Sequence, residues 1–153
     1  MRVRWIGLVA AVAALLTVMA VPAAAAPTGG INDASCRPSA EHPDPVVLLH
    51  GLGATSYEDL NVLQGWLAAR GYCTFASTYG AYEGFPLVGG LRDVDESAQE
   101  IAAYVANEGG WTGAAKVDLV GHSEGGFQSL YVPKTQDVQV GKVVAIAPPT
   151  HGT

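Results

Sequence analysis

The pentapeptide Gly121-His122-Ser123-Glu124-Gly125 carries the clearest chemistry in the sequence. It is a G-x-S-x-G placed between the apolar run Lys116–Val120 and a segment that reads as helix. A serine on so tight a strand-to-helix turn is pushed into a strained backbone conformation. Glycines two residues to either side let strand and helix pack that closely. The turn lifts Oγ above the sheet, beside a helix N-terminus that favours negative charge. Ser123 is therefore the candidate nucleophile for attack on a carbonyl. The alternative, an ordinary glycine-rich turn, is disfavoured by the strand–turn–helix context.

Such an attack places negative charge on the carbonyl oxygen, and two backbone N–H groups must meet it. One is expected from Glu124, the residue after the nucleophile. The other is expected from Leu52, in the loop His50-Gly51-Leu52-Gly53 that directly follows the apolar run Pro45–Leu49. Glycines in that loop allow close backbone approach. A histidine must also take the serine proton, and a carboxylate must orient that histidine. Asp137 and His151 follow Ser123 in the required order, but Asp137 falls in a connection at the wrong edge of the sheet. His151 follows a strand end and lies on the correct edge. His50 and His122 flank the site and read as packing or hydrogen-bonding residues, and His42 reads as exposed. Tyr79, Tyr82 and Phe85 lie in a loop at the active edge, where they either line an acyl pocket or cover the core. Glu58, Asp59, Asp93, Asp95 and Glu96 read as charges at helix starts, not as metal ligands.

These residues need a scaffold, and the hydrophobic pattern supplies one. Short buried runs at Pro45–Leu49, Tyr72–Ala76, Lys116–Val120 and Val140–Ala147 read as strands. Helices are expected over Asp59–Arg70, with Leu60, Leu63, Trp66 and Leu67 on one face, and over Asp93–Glu108, ended by Gly109-Gly110. A third is expected over Gly125–Tyr131, stopped at Pro133. Residues 77–91 form a glycine-rich aromatic loop. Alternating strands and helices imply an α/β fold, a parallel doubly wound sheet. Ligands bind such sheets at the carboxyl ends of the strands.

The start of the chain reads as an export signal over residues 1–25. Arg2 and Arg4 precede an apolar run from Trp5 to Val21, Pro22 breaks it, and Ala23–Ala26 offer a cleavage site. Residues 26–44 form a polar tail rich in proline and glycine, and residues 45–153 form the folded domain. The net charge is −6 and no basic stripe is present, so nucleic acid is not an expected partner. In an oxidising compartment two cysteines suggest one bridge, Cys36 to Cys73.

Together, His50-Gly51-Leu52-Gly53, Arg70-Gly71-Tyr72-Cys73, Val120–Gly126 and Ala147–Thr153 resemble the secreted lipases of actinobacteria. These form a branch of the bacterial triacylglycerol lipases within the α/β-hydrolases. The resemblance implies ester hydrolysis of acylglycerols, no cofactor, transient contact with lipid surfaces, and support for the Cys36–Cys73 bridge. It also implies that the acid and the histidine lie on later strands, so the sheet is expected to be C-terminally incomplete. Two other readings share this front half. One is a non-catalytic exported remnant, and the other is an acyltransferase built on the same elbow.

Overall fold

The computed structural model describes residues 29–152, and its centre is a five-stranded parallel sheet. In chain order the elements are β1 (Gly30–Ile31), β2 (Val46–Leu49), α1 (Asn61–Ala68), β3 (Cys73–Ala76), α2 (Val94–Thr112), β4 (Val117–His122), α3 (Glu124–Thr135) and β5 (Val140–Ile146). All four residues of β2 are buried, as expected of a strand covered on both faces. The core gathers Val47, Leu49, Phe75, Ile101, Leu119 and Val132 between the sheet and the helices.

The strand order is β1-β3-β2-β4-β5. From β2 the chain moves to one side, through α1 to β3. From β3 it crosses back over β2, through α2 to β4, and then continues through α3 to β5. Right-handed crossovers therefore put α1 on one face and α2 with α3 on the other. Helices α2 and α3 do touch: Gln128 Nε2 donates to the Val94 carbonyl at 3.0 Å, and the Tyr131 hydroxyl donates to Asp95. The direction reverses between β2 and β4, so the crevice for a ligand opens above the ends of those two strands. Their ends are level, with Leu49 opposite Gly121. The loop carrying Leu52 and the turn carrying Ser123 therefore leave the sheet side by side.

Several local expectations are corrected. The N-terminal tail contributes a strand: β1 pairs with β3 at the sheet edge, with Gly30 opposite Cys73. Helix α1 does not bury Trp66, which is 51% exposed, with the Arg70 guanidinium 3.3 Å above its ring. It buries Gln64, whose Nε2 donates to Asn32 Oδ1 at 3.1 Å. Positions two apart are separated by about 200° around a helix, so turning Gln64 toward β1 turns Trp66 outward. Helix α2 runs through Gly109-Gly110 to Thr112. The buried Thr112 hydroxyl donates to the Glu108 carbonyl at 2.9 Å, and Gly113, at φ 73°, closes the helix instead. Helix α3 passes through Pro133 to Thr135. Only one helical bond is lost there, in the last turn, while the fully buried Val132 holds the path. The expected export signal lies outside the described residues.

Cys36 and Cys73 form a disulfide with their Cα atoms 5.8 Å apart, closing a loop 37 residues long in sequence separation. It ties the segment after β1 to the first residue of β3. Replacing both cysteines with serine should lower stability by about 3–4 kcal/mol, mostly by freeing the unfolded chain. Urea denaturation checks this, and an unchanged midpoint would show that the bridge constrains nothing.

Candidate active site

Strand β4 ends at His122 and helix α3 begins at Glu124, so Ser123 alone makes the turn. It does so at φ 53° and ψ −120°, a conformation costly for any residue with a Cβ. Hydrogen bonds hold it there. The Ser123 N–H donates to the Ile146 carbonyl at 2.9 Å, and its carbonyl accepts from Phe127 N–H at 3.0 Å. The two flanking glycines are needed for space. A Cβ on Gly121 would overlap the Gly125 carbonyl, and a Cβ on Gly125 would overlap the Leu49 carbonyl and lie 2.5 Å from the His50 oxygen. Strand and helix are packed backbone against backbone on both sides of Ser123.

The loop after β2 passes directly beside this turn, and a Cβ on Gly51 would lie 3.1 Å from Ser123 Cβ. Gly53 N–H donates to the Gly89 carbonyl and Gly89 N–H to the Ala54 carbonyl, each at 2.9 Å, which sets the course of the loop past Leu52. Leu52, Ser123 and Glu124 then line one cavity of about 500 Å³, completed by Arg92, Phe127, Pro149 and Thr150 among others. The Glu124 N–H is in the first turn of α3, where N–H groups have no intrahelical acceptor. Among the described residues, neither it nor the Leu52 N–H is used in a hydrogen bond within the protein.

The histidines take fixed places. His50 is buried, its ring stacked on Tyr79 at 4.4 Å. Its Nε2 accepts from Tyr79 N–H at 3.2 Å, which leaves the proton on Nδ1 to donate to the Gly51 carbonyl at 2.9 Å. Burial pushes its pKa down, favouring the same neutral form. His50 is thus a strut of the loop. His42 stacks on Tyr72, and exposed His151 pairs through Nδ1 with Thr150 Oγ1 at 3.1 Å. His122 pairs through Nδ1 with the Asp59 carboxylate, at 2.8 Å to Oδ1. Among the described residues, no histidine hydrogen-bonds Ser123.

Asp59 is a correction. It is not a helix-start charge, because α1 begins at Asn61 and has no side-chain cap. Its Oδ2 accepts the Gly51 N–H at 2.7 Å, and the same carboxylate holds His122. Asp93, by contrast, does cap α2, accepting from Asp95 N–H at 2.8 Å. The aromatic loop divides. Tyr79 belongs to the core, while Tyr82 and Phe85 are exposed, and none of the three lines the Ser123 cavity. Phe127, one turn along α3, faces it instead. Its spacing from Ser123, four residues along a helix, was the available sequence signal. Asp137 lies beside Gly109, Gly110 and Lys116 at the opposite edge of the sheet, as expected.

Glu124 contributes more than its N–H. Its Oε2 is buried without a hydrogen-bond partner, and burial raises the carboxyl pKa from 4.5 to about 7. The carboxyl fills one side of the space left open at Gly90, and the Leu52 backbone fills the other. A titratable group therefore sits under the loop that carries Leu52.

Comparison with known proteins agrees with this architecture. Residues 43–131 match the family model Lipase (class 2). Over 112 residues the chain is 33% identical to a triacylglycerol lipase of Pseudarthrobacter phenanthrenivorans, spanning 71% of this chain and 34% of that protein. It is 32% identical over 112 residues to a triacylglycerol lipase of Burkholderia plantarii, spanning 71% of this chain and 30% of that one. The chain thus spans about a third of the length of these curated relatives. Among solved structures it is similar in fold to the mature form of a Bacillus licheniformis lipase. The TM-score is 0.56 at 24% identity, covering 79% of this chain and 46% of that one.

Proposed function

The chain belongs to the class 2 lipase family, and on that premise we propose that Ser123 is the nucleophile of a carboxylic ester hydrolase acting on acylglycerols. The observation that carries this reading is that Ser123, Leu52 and Glu124 line one cavity, with the Leu52 and Glu124 amides in no hydrogen bond among the described residues. Ser123 Oγ attacks the ester carbonyl, and the carbonyl oxygen turns toward the two amides as it gains charge. A base takes the Ser123 proton in that attack and passes it to the departing alcohol. Water activated by the same base then hydrolyses the acyl-enzyme and restores the Ser123 hydroxyl. None of the described histidines bonds Ser123 to fill that role. No cofactor enters the scheme. The alanine-rich N-terminal segment and the disulfide together support export, since disulfides persist in oxidising compartments.

The test is covalent. The chain is incubated with a fluorophosphonate probe and mapped by peptide mass spectrometry, beside hydrolysis of p-nitrophenyl butyrate. A single adduct on the peptide containing Ser123 is expected. Label on another serine, or spread evenly over several, would overturn the assignment, and no adduct at all would mean that no described group activates Ser123.

Glu124 gives this reading a pH signature. Its carboxyl is neutral below about pH 7 and charged above it. A carboxylate under the Leu52 loop repels the oxyanion forming beside it. At roughly 1 kcal/mol, that repulsion should slow the wild type about fivefold relative to Glu124→Gln. The ratio of labelling rates, Gln variant over wild type, should be near one at pH 5.5 and rise through pH 7. A ratio flat with pH would show that the carboxyl does not feel the reacting centre.

A further inference from the structure

The loop after β2 and the turn after β4, far apart in sequence, meet at the Asp59 carboxylate. Oδ2 accepts the Gly51 N–H at 2.7 Å, from the residue just before Leu52. His122 Nδ1 lies 2.8 Å from Oδ1 and 3.0 Å from Oδ2, on the residue just before Ser123. The Asp59 side chain is only 17% exposed, although its stretch of chain is a surface loop. Its backbone is at φ 68°, a left-handed conformation that Asp and Asn tolerate and that most side chains resist. The local chain is thus held in a disfavoured shape that delivers this carboxylate inward.

We propose that Asp59 is a positioning residue. It clamps the Gly51–Leu52 turn to the His122–Ser123 turn, so that the two oxyanion amides keep a common target. The Leu52 amide and the Glu124 amide belong to different loops, on neighbouring strands. The β2–β4 ladder ties their strands as far as Leu49 and Gly121, and beyond it side chains and packing fix the distance between the loops. A Cβ on Gly51 would lie 3.1 Å from Ser123 Cβ, so the two turns are close neighbours and a shift of Gly51 is felt beside the nucleophile. A donor displaced by even about 1 Å forfeits much of its effect on the transition state. The substrate itself, bound in the cavity through other walls, would be affected little. Asp59 therefore acts on kcat through Leu52, without touching the substrate.

This proposal rests on the hydrolase reading, and the experiment separates the two. Asp59→Asn keeps the left-handed backbone and one acceptor for Gly51, but weakens the charge-assisted pair with His122. Asp59→Ala removes both bonds. With p-nitrophenyl butyrate, kcat should fall about 100-fold in the Ala variant and about 10-fold in the Asn variant, with KM within about twofold in both. Amide hydrogen exchange at Gly51 should quicken about 100-fold in the Ala variant and remain slow in the Asn variant, while exchange in β4 stays as in the wild type. Equal kcat in all three proteins, or Gly51 exchange unchanged by the Ala variant, would overturn the proposal. So would a rise in KM that accounts for the whole loss. If the Ala variant unfolds, the Asn variant alone still gives the kcat and KM split. A wild-type chain without turnover would mean that none of the described histidines serves Ser123 as a base, and the Gly51 exchange would then decide the clamp by itself.

Discussion

Gly125→Ala is expected to cost at least about 4 kcal/mol and to leave Ser123 unreactive in whatever remains folded. Most overpacking substitutions cost about 1–3 kcal/mol, because a neighbouring side chain can swing aside. Here none can. The added Cβ meets the Leu49 carbonyl and the His50 oxygen, both backbone of β2 and its exit. Relief requires α3 to lift off the sheet or β2 to move away from β4, and either motion separates Ser123 from Leu52. Backbone overlap of this kind belongs with the few mechanisms that exceed about 4 kcal/mol. The matched control is Gly110→Ala. That glycine lies within α2, and a Cβ there meets nothing within 4 Å. It should stabilise by about 0.5–1 kcal/mol, the ordinary gain from replacing glycine in a helix. Urea midpoints of the two variants should therefore move in opposite directions, and fluorophosphonate labelling should survive only in the second. A folded, reactive Gly125→Ala protein would mean that the elbow is not as tight as its geometry states.

The contrast between those glycines shows what the sequence could reveal. Gly121 and Gly125 were legible because the elbow is local: five residues, one turn, and a steric need that follows from their spacing. The parallel sheet was legible for a similar reason, since apolar runs such as Val46–Leu49 announce burial on both faces. Asp59 was not legible. Its partner His122 is 63 residues away, and nothing near Glu58-Asp59-Leu60 distinguishes an inward carboxylate from a helix-start charge. Gln64 escaped for the same reason: its burial depends on Asn32, 32 residues earlier, just past a strand of only two residues. Pro133 and Gly109-Gly110 misplaced helix ends because propensity is a weak local preference, and burial of Val132 and Thr112 outweighed it. Glu124 was half legible. The motif assigns its amide a role, but only the packing of Gly90 and Leu52 around it shows that its carboxyl is trapped.

The strain at Ser123 separates two variants that would both be inactive. Ser123→Ala and Ser123→Gly each remove the hydroxyl, and each should lower serine-dependent turnover by about 10⁴-fold or more. Their stabilities should differ. Alanine keeps the Cβ that makes φ 53° and ψ −120° costly, so it should melt close to the wild type. Glycine adopts that conformation freely and should recover about 1–2 kcal/mol of backbone strain. It also gives back about 0.5–1 kcal/mol, through the greater freedom of the unfolded chain. The net expectation is that the glycine variant is more stable than the alanine variant by up to about 1.5 kcal/mol. The comparison isolates the backbone term, because neither variant has a side chain able to hydrogen-bond. A glycine variant less stable than the alanine one would place the strain elsewhere, and the hydrogen bonds from Ser123 N–H to Ile146 and from Phe127 N–H to Ser123 would then suffice to hold an unstrained turn. A more stable glycine variant would mean that the fold gives up stability to raise one hydroxyl above the sheet. That is the expected arrangement if Ser123 is placed for reactivity and not for packing.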